Sequence, residues 1–296
     1  MDYDDIVMER LNKVDLLPTF SNIVGEILNV IDDPMSSASD IAKHMDPSMV
    51  GEVLRIAGSA YFSTGGSRKI SSIEHAIAMI GYEQLSHIVL QMPFLTLTDK
   101  DDKIFDVKGF FNHSTLCGVL SKTISSSAFL GNPNEVYISG IMHDIGIIVI
   151  YRFFQDEWRR IISLMENENK SRLDAEREVF SFDHGFVGAM LLDIWHIPKS
   201  VTDGVRYHHC PEKAEENKEN VAATYLGNLL SRQIDLKNDI GSFINFMMFH
   251  RDFIENIAQF RRALSSSEEI ELFQMIYNAL RNTDNLLKGT ENGSED

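Results

Sequence analysis

The stretch that decides the fold is Val136 to Tyr151, VYISGIMHDIGIIVIY, an apolar run that a histidine and an aspartate interrupt. Asn132 and Pro133 precede it and favour the first turn of a helix. The run is shorter than the ~20 residues of a membrane-crossing helix, and ionisable groups at its centre argue against a lipid environment. We therefore predict a buried helix and no transmembrane segment.

The rest of the chain indicates an all-α fold class. Apolar residues recur at helical spacing, and the sequence lacks the sustained alternation that is typical of half-buried strands. We predict a multi-helix bundle of two lobes, an N-terminal helical lobe at 1–103 and a histidine-bearing helical lobe at 104–235. Further helices at 236–288 are expected to pack on the second lobe, and 289–296 to form a disordered tail. The charged run at 99–103, DKDDK, marks the boundary between the lobes.

The charge balance excludes one class of partner. The 296 residues include 27 Lys plus Arg and 44 Asp plus Glu, which gives a net charge of −17. A protein that binds nucleic acid through its phosphates needs a basic surface, so we expect no nucleic-acid partner. The two cysteines are too few for a disulfide framework, and the acidic N-terminus does not resemble a secretory signal. We expect a cytoplasmic protein with no membrane partner.

Five histidines and one aspartate form the candidate metal site. They are His113, His143, Asp144, His184, His208 and His209. Each histidine taken alone is more typical of a buried imidazole bonded to a backbone carbonyl. Imidazoles and a carboxylate together are the donors of zinc, iron and manganese sites that activate water, although spacing alone does not show that their helices converge.

Several neighbouring positions carry further expectations. We expect Gly146 to let the chain turn directly after the His143–Asp144 pair, and His208 to share the inward face of one helix with Val201 and Val205. Cys117 is interpreted as a small buried thiol rather than a metal ligand. The segment FMMF at 246–249 fits either a partner groove or the core.

Seven motifs carry a resemblance to a known family. They are LPTFSNIVGEILNVIDDP from Leu17, DPSMVGEVLRIAGSAYF from Asp46, RKISSIEHAIAMIGYEQLSHIVL from Arg68, FNHS from Phe111, MHDIG from Met142, AEREVFSFDHGFVGAMLLDIWHIP from Ala175 and RYHHCPE from Arg206. The middle of the chain resembles the HD superfamily of metal-dependent phosphohydrolases. The span from Leu17 to about Ser231 is similar to the HDOD domain, the HD-related output domain of bacterial signalling proteins.

The resemblance implies a ligand set and a cofactor. His113, His143 and Asp144 match the first three ligands of the HD pattern, and His184, His208 and His209 match additional histidines of the two-metal HD-GYP phosphodiesterases. Asn228 stands in the place of the final aspartate. The implied cofactor is a divalent metal, Fe, Mn or Zn, bound as one ion or two, and Asp144 is the implied catalytic residue if the protein is active.

Two departures from the HD-GYP pattern bear on function. Asn228 brings no negative charge, and Ile147 stands where that pattern has a lysine for the substrate phosphate. We therefore expect the pocket to offer little to a phosphate anion unless a metal is bound. The resemblance then implies a non-catalytic signal-transduction module that acts by binding signalling proteins, with a metal in a degenerate HD site. The alternative is a metal-dependent phosphohydrolase or phosphodiesterase that acts on a nucleotide.

Overall fold

The computed structural model describes residues 105–232 as one continuous stretch. Of the preceding segment it describes residues 9, 37–42, 45, 50, 51, 53, 54, 72–78, 80–82, 85, 89 and 90. The predicted helices at 236–288, the predicted tail at 289–296, the segment at 246–249 and the charged run at 99–103 lie outside the described residues.

The described part of the chain contains helices and no strand, which confirms the all-α prediction. The helices are α1 Ala38–Ala42, α2 Val107–Ala128, α3 Pro133–Met142, α4 Ile145–Phe153, α5 Gln155–Glu168, α6 Arg172–Phe180, α7 His184–Ile194, α8 Lys199–Arg206 and α9 Lys218–Ser231, with a 3-10 turn at Pro211–Lys213.

Side-chain caps set the beginning of four helices. The side chains of Asp106, Asn132, Ser171 and Asp183 each accept a backbone N–H from the first turn of α2, α3, α6 and α7 respectively. Such caps satisfy N–H groups that have no partner within the helix. The cap at Asp183 makes His184 the first residue of α7.

A large cluster of buried apolar side chains joins helices α3 to α8. Helix α3 packs against α2, α8 and α9, and α7 packs against α4 and α8. Buried side chains from the N-terminal segment join the same apolar cluster, among them Ile41, Val53, Ile77 and Leu85. The buried helices α3 and α4 lie within this core, so the polar pair between them is held inside the protein.

Two glycines let pairs of helices approach closely. A Cβ at Gly140 would lie 2.7 Å from the Cα of Gly118, so the backbones of α2 and α3 are in contact. A Cβ at Gly146 would lie 1.9 Å from the carbonyl oxygen of His184, where α4 meets α7. The expectation that Gly146 turns the chain is wrong, because the break falls at His143 and Asp144 and Gly146 lies in the first turn of α4 without a positive φ.

The helical run Pro133–Phe153 is long and apolar enough to cross a membrane, with 21 residues and a mean hydropathy of 1.4. It is longer than the apolar stretch seen in the sequence, so length alone does not argue against a membrane. However, 83% of its most apolar window is buried inside the protein. The run consists of α3 and α4, which His143 and Asp144 separate, and it is apolar because both helices are buried in the core.

Candidate metal centre

The five histidines and Asp144 lie together in the structure. His113 is in α2, His143 and Asp144 form the turn between α3 and α4, and His184 begins α7. His208 and His209 lie in the turn that follows α8. The expectation that His208 lies in one helix with Val201 and Val205 is therefore wrong, because α8 ends at Arg206. All three side chains are nevertheless buried. Four separate elements thus contribute to one site.

Asp144 is shared by two groups of potential metal ligands. One group is His113, His143 and Asp144, and the other is Asp144, His184, His208 and His209. Within each group all ligand atoms lie within 4.8 Å of one another. The carboxylate of Asp144 would therefore bridge two ions or serve either one.

Each oxygen of Asp144 faces one group. Oδ2 lies 3.2 Å from His143 Nε2 and 3.5 Å from His113 Nε2. Oδ1 lies 3.0 Å from His184 Nε2 and 3.5 Å from His208 Nε2. The side chain of Asp144 is almost completely buried. Because an unpaired buried charge is costly, this carboxylate favours a positive charge beside it, either as protons on the imidazoles or as a metal cation.

Backbone carbonyls fix the orientation of two imidazoles. His143 Nδ1–H donates to the carbonyl of Gly140 at 2.8 Å, and His208 Nδ1–H donates to the carbonyl of Val205 at 2.6 Å. A carbonyl oxygen only accepts, so Nδ1 carries the proton in both rings. In the neutral imidazole the Nε2 lone pair then points towards Asp144, which is the orientation that metal-binding histidines need.

Side chains orient His184 and His113 in the same way. Glu176 is completely buried and accepts a hydrogen bond from His184 Nδ1–H at 2.7 Å. Ser231 Oγ donates to the carbonyl of Asn228 at 2.8 Å, which leaves it as the acceptor for His113 Nδ1–H at 3.3 Å. Hydrogen bonds at Nδ1 thus orient four of the five rings with Nε2 towards the centre.

The positions of these Nε2 atoms fit a bound cation. The Nε2 atoms of His113 and His143 are 3.1 Å apart, and those of His184 and His209 are 3.0 Å apart. Two nitrogens bound to one tetrahedral zinc at ~2.0–2.1 Å would be ~3.3 Å apart. His208 Nε2 is buried without a hydrogen-bond partner. Two facing nitrogen lone pairs need a proton or a metal between them, and the spacing of these nitrogens suits a divalent metal in place of the proton.

Attraction between carboxylates and imidazoles shifts the pKa values of Asp144, His143 and His184. Burial opposes ionisation of Asp144, but the attraction and hydrogen bonds of the histidines hold the pKa of this carboxyl well below its usual value. Burial also opposes a charge on His143, but the Asp144 carboxylate raises its pKa well above the usual imidazole value. The pKa of His184 is raised to about 9 against the effect of burial, mainly by Glu176.

The remaining three imidazoles are uncharged at neutral pH. Burial and the neighbouring histidines lower the pKa of His113 and of His208 to about 4. Burial also lowers the pKa of His209, with His208 and His184 acting in the same direction. Neutral imidazole is the form that binds a metal, so these three rings need lose no proton on binding.

The side chain of Asn228 is hydrogen-bonded to Arg232, which is outside the two ligand groups. Its side chain is buried, and its Oδ1 accepts a hydrogen bond from Arg232 Nε at 3.0 Å. The same guanidinium approaches Asp144, with Nη2 4.0 Å from Oδ2. The role of Asn228 as a metal ligand stays a prediction. Cys117 is completely buried, which agrees with its interpretation as a core thiol.

A cavity of about 370 Å³ opens onto the cluster. The residues that line it are His113, Asp144, Ile147, Ser171, Arg172, Leu173, His184, His209 and Arg232. Ile147 is on the wall, as its place beside the His-Asp pair predicts. Sequence reasoning missed both arginines and also missed Glu176. Of these, only Glu176 gave a signal, as an acidic residue between Ala175 and Val179 on a face that proves to be buried.

An all-helical protein with a His-Asp pair between two helices and further histidines from neighbouring elements is a protein of HD type. The chain belongs to the HDOD family, since the HDOD domain profile matches residues 17–211. This match confirms the resemblance seen in the sequence motifs.

Known relatives share this assignment or this fold. An HDOD domain protein of unknown function from Geobacter sulfurreducens is 25% identical, with a TM-score of 0.63 and 78% of each chain covered. A Shewanella amazonensis SB2B protein provisionally named a phosphohydrolase has a TM-score of 0.67 at 18% identity, covering 94% of this chain and 97% of that chain. A Marinobacter aquaeolei VT8 protein provisionally named a signal transduction protein has a TM-score of 0.59 at 15% identity, covering 96% of this chain and 62% of that chain.

One curated relative is considerably longer than this chain. It is a Treponema pallidum (strain Nichols) protein described as uncharacterized, 22% identical over 231 residues. The match covers 76% of this chain and 44% of that protein, so this chain corresponds to less than half of its relative.

Proposed function

We propose that this chain is a cytoplasmic regulatory module of signal transduction that acts by binding partner proteins and holds a divalent metal in its His/Asp cluster without catalysing a reaction. Family membership supports a role as an output domain, and the name of the Marinobacter protein points in the same direction. The acidic net charge of −17 suits protein partners rather than nucleic acid.

The observation that carries this proposal is the small negative charge of the ligand set. Among the described residues, Asp144 is the one carboxylate in either ligand group. Glu176 lies behind His184 and does not face the centre. Five neutral imidazoles and one carboxylate neutralise only one charge of a divalent cation, which favours a structural or sensory metal over two hydroxide-generating ions.

The chain's own residues would hold the metal by their preset orientation. Gly140, Val205 and Glu176 keep the Nε2 atoms of His143, His208 and His184 directed at Asp144. Asp144 would supply the hard oxygen donor. The bound cation would supply Lewis acidity and a fixed positive charge at the cavity floor.

Metal analysis combined with a hydrolysis assay tests the proposal. The purified chain is analysed for Fe, Mn and Zn, then assayed with Mn²⁺ or Fe²⁺ against bis-(p-nitrophenyl) phosphate and cyclic dinucleotides. We expect bound metal, no turnover, and loss of the metal in Asp144→Ala. Turnover that Asp144→Ala abolishes would overturn the non-catalytic role, and absence of metal at saturating concentrations would overturn the metal site.

A second candidate function is a metal-dependent phosphohydrolase that acts on a nucleotide. The cavity beside Asp144 favours it, because two arginines on its wall could receive a phosphate group. The name of the Shewanella protein is consistent with this candidate. The same hydrolysis assay separates the two functions, since only the second predicts multiple turnovers that depend on Asp144.

A further inference from the structure

We propose that Arg172 is a positioning residue for the metal centre and that it acts on His184 through Glu176. Glu176 accepts two hydrogen bonds from His184 on one oxygen, Oε2. Its second oxygen, Oε1, is buried and has no hydrogen-bond partner among the described residues. The inference rests on the metal site of the proposed function, and it adds a residue that lies behind the ligands and belongs to neither ligand group.

Arg172 and Glu176 lie one turn apart on the same side of α6. Side chains at positions i and i+4 of a helix are neighbours and lean towards its N-terminus, so the Glu176 carboxyl extends back towards the turn of Arg172. Nη1 of Arg172 is buried as well, so it does not face the cavity that other atoms of this side chain line. In the described part of the chain this Nη1 has no hydrogen-bond acceptor. One helix thus carries a buried donor and a buried acceptor of opposite charge, both unpaired.

The ring of Trp158 holds the Arg172 guanidinium in place. The guanidinium carbon lies 5.1 Å from the ring centroid, and Trp158 is buried. A cation–π contact of this kind orients the guanidinium and leaves its positive charge unneutralised. Since Arg172 and Glu176 do not form a direct hydrogen bond, their attraction acts through space within the protein interior, where charges are screened less than in water.

This attraction selects the carboxylate oxygen that faces His184. The guanidinium charge holds Oε1 of Glu176 on the side of Arg172, which leaves Oε2 for the two N–H groups of His184. The terminal torsion of a glutamate has a broad range, so the carboxylate needs a partner on each side to keep one orientation. Through this orientation Arg172 helps to direct His184 Nε2 at Asp144 Oδ1, which is 3.0 Å away.

A double-mutant cycle of Zn²⁺ affinities in the full chain tests the proposal. We expect Arg172→Met to weaken Zn²⁺ binding about threefold to tenfold, which is less than the loss of a direct partner of a ligand causes, because Arg172 acts one step further from the metal. Arg172→Lys keeps the charge and should restore the wild-type affinity. In a Glu176→Gln background Arg172→Met should cause no additional loss. An equal loss in both backgrounds would overturn the proposal, because Arg172 would then act by a route other than Glu176.

Arg159→Met is the matched control for the loss of a positive charge. Arg159 pairs with Asp156 on the exposed surface of α5, so this variant should bind Zn²⁺ like the wild type. A loss as large as that of Arg172→Met would show that net charge accounts for the effect and would overturn the proposal. Circular dichroism checks that each variant is folded, and Arg172→Gln replaces Arg172→Met if the latter does not fold.

The hydrogen bond of His184 is measured in metal-free protein, which separates this inference from the proposed metal site. The Nδ1–H proton is observed by NMR in chelator-treated protein with isotope-labelled histidine, and its signal is assigned by its loss in His184→Ala. We expect Arg172→Met to move this signal upfield or to broaden it by exchange with water, and Arg159→Met to leave it unchanged. A wild-type signal in Arg172→Met would overturn the inference. A shifted signal in a protein that binds no Zn²⁺ would support the inference and overturn the metal site alone.

Discussion

Glu176 holds His184 through two hydrogen bonds that end on the same carboxylate oxygen. Oε2 accepts the Nδ1–H of the ring at 2.7 Å and the backbone N–H at 2.9 Å. One buried carboxylate thus positions both the first turn of α7 and the imidazole that faces Asp144. In many metal sites a carboxylate accepts a hydrogen bond from the second ring nitrogen of a ligating histidine. This bond orients the ring and increases its basicity.

Replacing Glu176 with glutamine should weaken metal binding without unfolding the protein. Glu176→Gln keeps the volume and an acceptor oxygen but removes the charge that favours His184 as a donor. We expect a loss of roughly 10-fold to 100-fold in metal affinity, measured by competition with a chromophoric chelator. Glu178→Gln is the control, since Glu178 is on the same helix and pairs with Lys170 at the surface. Equal affinities for the two variants would contradict this role.

Substitution of Gly146 should separate two helices. In Gly146→Ala the new Cβ would meet the backbone of His184, which cannot yield as a flexible side chain can. We expect α4 to move away from α7, with a loss of metal and a destabilisation of roughly 1–3 kcal/mol or more, measured by urea unfolding. Gly51→Ala is the control, because Gly51 is exposed in a helix and a Cβ there would have nothing within 4 Å.

Removal of the Asp144 carboxylate should lower the metal content more than removal of a single histidine. Asp144 belongs to both ligand groups, whereas His113 belongs to one and His209 to the other. We expect Asp144→Ala to retain no metal and each histidine-to-alanine variant to retain metal in the unaffected group. Elemental analysis after desalting measures this. A histidine variant as depleted as Asp144→Ala would show that the two groups form one indivisible site.

The ion pair between Asp183 and Arg177 should contribute to stability in acid. Burial opposes ionisation, but the hydrogen bond from Arg177 at 2.7 Å lowers the pKa of Asp183. A lowered folded-state pKa gives stability that is present above the unfolded value of about 3.9 and is lost as the pH falls through the folded value. Asp183→Asn should therefore lose less stability than the wild type on acidification below about pH 4. Thermal unfolding across that range measures the difference, and parallel curves would contradict the prediction.

The sequence predicted the helices and most of the cluster for identifiable reasons. Asn132 and Pro133 mark a helix start by local chemistry, and the structure begins α3 there. The motifs around His113, His143 and His184 identified the family without any distance being known. The end of α8 before His208 was missed, because helix termini depend on packing as well as on local preference.

The arginines could not be predicted from their own positions. Arg172 and Arg232 are 60 residues apart in the sequence and resemble any other surface arginine there. Both line the cavity because α6 begins and α9 ends beside it. The partner of Asn228 is local by contrast, since Arg232 follows it by four residues at the end of α9. The loss of charge at position 228 was also visible in the sequence.

Gly140 and Gly118 lie where two helices that carry ligands of the centre come into contact. With no side chain between them, the backbones of α2 and α3 are in direct contact, and His113 of α2 lies next to His143 at the end of α3. The contact at Gly146 ties His184 to α4 in the same manner. The centre thus lies where two closely packed helix pairs meet, α2 with α3 and α4 with α7, and a change in the angle between these pairs would alter the distances between its ligand atoms. If a partner protein changes that angle on binding, the visible absorption of a cobalt-substituted protein would change with it.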